Sequence, residues 1–125
     1  MNTSRRRSRT DRGAATLFAA ALAMVLVTAA TIAILVVTAV LAGHRARAAA
    51  DMTALAGATA AADGLNACRT AGAVAEANGA TLTSCRLAGT PASFVVSVTV
   101  AVRTGLRAPL PDVVHADAKA GNVPG

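Results

Sequence analysis

The sequence predicts an α+β fold built from one long N-terminal helix, a short second helix and a small antiparallel sheet. Three observations carry this reading. An uncharged apolar run fills positions 13–43, an alanine-rich stretch without a helix breaker continues it to Ala62, and beyond residue 80 the apolar period drops to two. The segments implied are a basic arm at 1–12, a transmembrane helix at 13–43, a helix extension at 44–62 and a small α+β domain at 63–125.

The basic arm holds much of the charge. The net charge is +6, and Arg5, Arg6, Arg7, Arg9 and Arg12 outweigh Asp11 before the apolar run begins. Cations concentrated beside an apolar helix are explained by membrane topology and anionic headgroups. A nucleic-acid partner is not expected, because no aromatic residues are interleaved with these arginines for base stacking.

The run at 13–43 is about 46 Å long as a helix, at 1.5 Å per residue. That exceeds the ~30 Å hydrocarbon thickness of a bilayer. Its Leu, Ile, Val and Phe residues between Leu17 and Leu41 favour insertion by about 4–8 kcal/mol in total. Burial in a soluble core is the competing reading, but so short a chain has little surface to cover a helix that is apolar all round. The arginine imbalance places the N-terminus in the cytoplasm and the C-terminal part outside, as a single-pass protein of the cell membrane. A basic stretch before an apolar run also marks signal peptides, although their apolar regions are usually ~7–15 residues. Cleavage at an Ala-x-Ala site such as Ala46-Arg47-Ala48 would then release a secreted effector. Thr28, Thr31 and Thr38 fall near one face, and Ala19/Ala23 and Ala29/Ala33 are small pairs suited to close helix approach.

Alanine, the strongest helix former, dominates the extension. Arg47 and Asp51 stand four apart and are expected to pair. Ala50, Leu55 and Ala58 form an expected apolar stripe with Ala54 beside it, and Asp63-Gly64 supplies the stop. A short amphipathic helix follows from Asn66 to Ala77, closed by Asn78-Gly79.

Thr81 to Leu87 reads as a strand, and Gly89-Thr90-Pro91-Ala92 as a turn. From Ser93 to Arg103, Phe94, Val96, Val98, Val100 and Val102 alternate with polar positions, the pattern of a half-buried strand. Leu106 to Pro111 is a connection. Val113 to Ala120 alternates again, and Gly121 to Gly125 is expected to fray. Aromatic content is only 2%, so this sheet buries little area per residue and gains from a cross-link, an anchor or partners.

Cys68 and Cys85 are the only cysteines, and both fall on the side expected to be outside the membrane, where a disulfide is favoured. Such a bridge would contribute ~3 kcal/mol by constraining the unfolded chain. Free thiols and metal binding are the alternatives, and the spacing of the cysteines from His44 and His115 matches no recognised zinc pattern. With Glu76 as the sole glutamate and no nucleophile–base–acid pattern, neither a catalytic site nor a cofactor is expected.

Two segments resemble the TadE/TadG-like proteins of tight-adherence (Flp) pilus assembly. They are Asp11-Arg-Gly-Ala-Ala-Thr16 at the start of the span and Arg45-Ala-Arg-Ala-Ala-Ala-Asp51-Met-Thr-Ala-Leu55-Ala-Gly57-Ala58 after it. The second is similar to the family's "AAD-x-x-ALAGA" signature, with Asp51, Leu55 and Gly57 as its motif residues. The cysteine pair and the valine-rich strand resemble short TadE-like proteins found beside secretion genes in high-GC bacteria. The resemblance implies a pilin-like fold and a non-enzymatic minor pilin or pseudopilin-like role. Its implied partners are membrane lipid, other pilin-like or secretion-apparatus subunits, and a prepilin peptidase cutting between Gly13 and Ala14. Phe18 stands where classical prepilins carry glutamate. The alternative to assembly is a membrane-tethered binding module that uses its sheet.

Overall fold

The computed structural model describes residues 4–122, with side chains described from residue 13 onward. The arginine side chains of the basic arm and the last three residues therefore lie outside the described residues. The elements in chain order are α1 (Ser4–Ala62), α2 (Ala67–Ala77), β1 (Thr81–Thr90), β2 (Ser93–Arg103) and β3 (Val113–Asn122). This is the expected α+β layout. The chain falls into two units, residues 1–38 and 39–125.

The first unit is the earlier part of α1. Among its described residues the large apolar side chains are exposed, including Leu17, Phe18, Leu26, Ile34 and Val37. From Gly13 onward α1 is long and apolar enough to cross a membrane, and its most apolar window buries nothing against the rest of the chain.

The second unit packs the remainder of α1 and all of α2 onto one face of a three-stranded antiparallel sheet ordered β1-β2-β3. Its core is made of small side chains. Ala46, Ala49, Ala50, Thr53, Ala54, Gly57 and Ala58 form a buried seam along α1. Ala67, Ala71 and Ala75 do the same on α2, while β2 supplies Phe94, Val96, Val98 and Val100, and β3 supplies Ala116 and Ala118. Alanine at nearly every helix position lets the backbones approach the sheet closely. At Gly57 there is little room for more: a Cβ placed there would stand 3.1 Å from Val96 Cγ1 and 3.4 Å from Ala71 Cβ.

Both helices stop as expected. Gly64 takes a φ of +72° after α1, with Leu65 N–H donating to Ala60 O at 2.8 Å and Gly64 N–H to Ala61 O at 3.1 Å. This glycine-centred double bond satisfies carbonyls that the helix end leaves open. Gly79, with φ +70°, repeats the arrangement after α2, where Ala80 N–H donates to Ala75 O at 2.9 Å. Asn66 caps the start of α2 by accepting from Arg69 N–H at 3.0 Å.

Four expectations change. Leu55 does not join the buried stripe, because the seam accepts only small side chains and Leu55 is 58% exposed. Arg47 and Asp51 line one cavity with His115 and Asp117 but form no ion pair among the described residues; both are exposed, where such a pair adds little. β1 runs to Thr90 and the turn shrinks to Pro91-Ala92, since Gly89 and Thr90 pair with Phe94 and Ser93. Finally, Gly121 and Asn122 belong to β3, held in register by Val95 and Phe94.

Candidate functional site

A strand of strict period two would put Leu82 and Cys85, three positions apart, on opposite faces. The register of β1 shifts between Leu82 and Ser84, so that Leu82 faces Val100 while Ser84 already faces Thr99. Thr83 is the additional residue of a β-bulge, and its hydroxyl donates to Thr99 O at 3.1 Å. Leu82 and Cys85 consequently share the face of Val98 and Val100, which is the face turned toward the helices. Cys85 reaches Cys68 on α2, and the two are bridged with their Cα atoms 5.8 Å apart. The bridge ties α2 to β1 where α2 buries only the small side chains of Ala67, Ala71 and Ala75 and Leu82 of β1 lies over Gly72. That contact buries little apolar area, so the covalent tie is worth more here than in a core rich in large side chains.

The span meets its own polar needs. Thr28, Thr31 and Thr38 donate to the carbonyl oxygens of Met24, Val27 and Leu35 at 2.8, 2.8 and 2.9 Å. In a bilayer their hydroxyls would enter lipid already bonded, which removes most of the cost of carrying them there. A partner helix is not required to satisfy them.

The three motif residues have separate surroundings. Asp51 lines the cavity on the β3 side with Gly43, Arg47, His115 and Asp117. Gly57 faces Val96 and Ala71 in the core. Leu55 lines a groove between α1 and α2, about 510 Å³ in volume, together with Met52, Thr59, Leu65, Thr70 and Val74. Met52, Leu55 and Leu65 are 57%, 58% and 64% exposed, so this groove concentrates apolar surface on the second unit. Sequence reasoning missed it by assigning Leu55 to the core. The usable signal was the contrast between an all-small seam and Met52 and Leu55, which are too large for it.

His44 and His115 are exposed, as is Glu76. Among the described residues, no three His, Cys, Asp or Glu side chains are grouped so as to hold a metal ion. One polar group in the core is unusual: Thr53 is fully buried and its Oγ1 has no hydrogen-bond partner. The Thr59 hydroxyl, by contrast, donates back to Leu55 O at 3.0 Å.

Comparison of the chain with models of known protein families, with curated proteins and with solved structures finds no match.

Proposed function

We infer that this chain is a non-catalytic, membrane-anchored assembly subunit, a TadE-like minor pilin or pseudopilin-like component of Flp-type pilus assembly or secretion. The observation that carries the reading is the exposed apolar groove of Met52, Leu55 and Leu65, which lies beyond the lipid-length part of α1. An anchor alone needs apolar surface only within the bilayer. Apolar surface that continues past it on the same helix suits packing against another chain. The "AAD-x-x-ALAGA"-like segment supports the same reading, since its leucine lines this groove and its glycine sets the helix–sheet distance. In this reading the N-terminus is cytoplasmic and the sheet domain extracytoplasmic. Peptidase cleavage between Gly13 and Ala14 would remove the arginine arm and free the helix end for assembly.

Photo-crosslinking in the native membrane tests this. A crosslinker at Leu55 is expected to capture another single-span, pilin-like chain, whereas one at Ser97, on the other face of β2, captures none. Capture from Ser97 alone would replace this reading with a tethered binding module that works through its sheet. Mass spectrometry of the membrane-extracted chain tests processing separately. An intact leader on the whole population, with active peptidase present, would rule the cleavage out.

A further inference from the structure

The connection between β2 and β3, Thr104 to Asp112, lies toward the end of the second unit at which its part of α1 begins. β2 runs antiparallel to the later part of α1: Val96 lies against Gly57, and six and seven residues on, Val102 and Arg103 share a cavity with Arg45, Ala48 and Ala49. The chain returns on the other side of α1, where Val114 and His115 line a cavity with Gly43 and Arg47. The nine residues from Thr104 to Asp112 therefore leave and re-enter the sheet at the level of Gly43, the last residue of the uncharged run. The loop is closed at its neck. Thr104 N–H donates to Asp112 O at 2.8 Å, and the Thr104 hydroxyl donates to Pro111 O at 2.9 Å. Leu110 N–H donates to Arg107 O at 3.2 Å at its tip. Arg107, Ala108 and Pro109 are exposed there, with Leu106 and Leu110 half-buried.

Charge at this level has one dominant sign. Arg45 and Arg47 lie about 3 and 6 Å beyond Gly43 along the helix axis, and Arg103 and Arg107 flank and occupy the loop. Asp112 is the acid within the loop. Asp51 is about 12 Å from Gly43, and Asp117 accepts from the Thr99 hydroxyl at mid-strand. We propose that the Thr104–Asp112 loop seats on the bilayer that α1 crosses, with Arg45, Arg103 and Arg107 against anionic phospholipid headgroups. The seat is a second membrane contact for the sheet domain besides the span. It rests on the reading of α1 as a membrane span.

Fluorophore labelling of the full chain in phosphatidylcholine vesicles, with and without phosphatidylglycerol, tests the proposal. Single cysteines are introduced as Ala108→Cys in the loop, Ala92→Cys at the opposite end of β2 and Ala30→Cys in the span, the native pair being bridged. A headgroup-attached quencher is expected to reach the label at 108 and not that at 92, more strongly with phosphatidylglycerol present. Each arginine removed by Arg103→Gln or Arg107→Gln is expected to lower the seated-to-unseated ratio about fivefold. High salt is expected to do the same by screening. Both arginines are exposed, so an unchanged melting temperature separates this loss from misfolding. If the label at 30 meets lipid while that at 108 behaves like that at 92, the seat is overturned and the span stands. If the label at 30 never meets lipid, the span reading falls and the seat with it. Quenching at 108 that ignores phosphatidylglycerol overturns the headgroup recognition. A label at 108 shielded from aqueous iodide yet out of reach of the lipid quencher would mean that another chain covers the loop, which also overturns it.

Discussion

Gly57 of α1 faces Val96 of β2 at close range, with only 3.1 Å between Val96 Cγ1 and the place a Gly57 Cβ would occupy. Val96 is completely buried and has little freedom to retreat. Gly57→Ala gains about 1 kcal/mol of helix propensity and asks Val96 to give by only a few tenths of an ångström, whereas Gly57→Leu overpacks the seam by far more than that gain offsets. The leucine variant is expected to lose about 1–3 kcal/mol. In a double-mutant cycle by denaturant unfolding, Gly57→Ala and Val96→Ala should couple favourably by roughly 1 kcal/mol. Strict additivity would show that the two positions do not meet.

The Cys68–Cys85 bridge spans 17 positions and should supply about 3 kcal/mol. For a unit of this size, reduction or a Cys68→Ser/Cys85→Ser pair is expected to lower the melting temperature by roughly 12–24 °C. Thermal unfolding followed by circular dichroism in the β-sheet region, with and without reductant, measures it. An unchanged melt would mean that α2 is held to β1 by packing alone.

Thr53 keeps a buried hydroxyl without a partner, which costs about 1–3 kcal/mol. Thr53→Val replaces it with a methyl group of similar shape and comparable helix propensity. The variant is expected to be more stable than the parent by about 1 kcal/mol, an uncommon direction for a core substitution. Destabilisation in a urea titration would refute the account of Thr53 as an unpaid polar burial.

Leu55 is expected to be dispensable for folding. Leu55→Ser should change stability by no more than about 0.5 kcal/mol, as for other surface sites, and yet abolish crosslinking through the α1–α2 groove. A large drop in melting temperature would return Leu55 to the core.

Membrane retention should depend on the middle of the span. One arginine there costs about 2.5–3.5 kcal/mol against the 4–8 kcal/mol favouring insertion. Val27→Arg alone is expected to weaken retention, and Val27→Arg with Ile34→Arg to abolish it. Carbonate washing of vesicles followed by immunoblotting reads this directly.

Local chemistry made much of this protein legible in advance. An uncharged run long enough to cross a bilayer, the Asp63-Gly64 and Asn78-Gly79 stops and the alternation from Phe94 to Val102 are each written in neighbouring residues. They state their structure through backbone sterics and solvent preference alone. Cys68 and Cys85 were candidates for a bridge, but whether they meet depends on the bulge at Thr83, which nothing within β1 announces. It arises from pairing with β2, because only the shifted register brings Leu82 and Cys85 to the same face. Leu55 was misplaced for a related reason: hydrophobicity ranked it as core, while the distance between α1 and the sheet, set by Gly57 and the alanines, left room for nothing larger. The tertiary structure alone brought the Thr104–Asp112 loop level with Gly43, since the direction of β2 against α1 is a long-range property. Sequence determined which segments are helix, strand and lipid-length, and packing distance and strand register decided which of their side chains remain free to meet a partner.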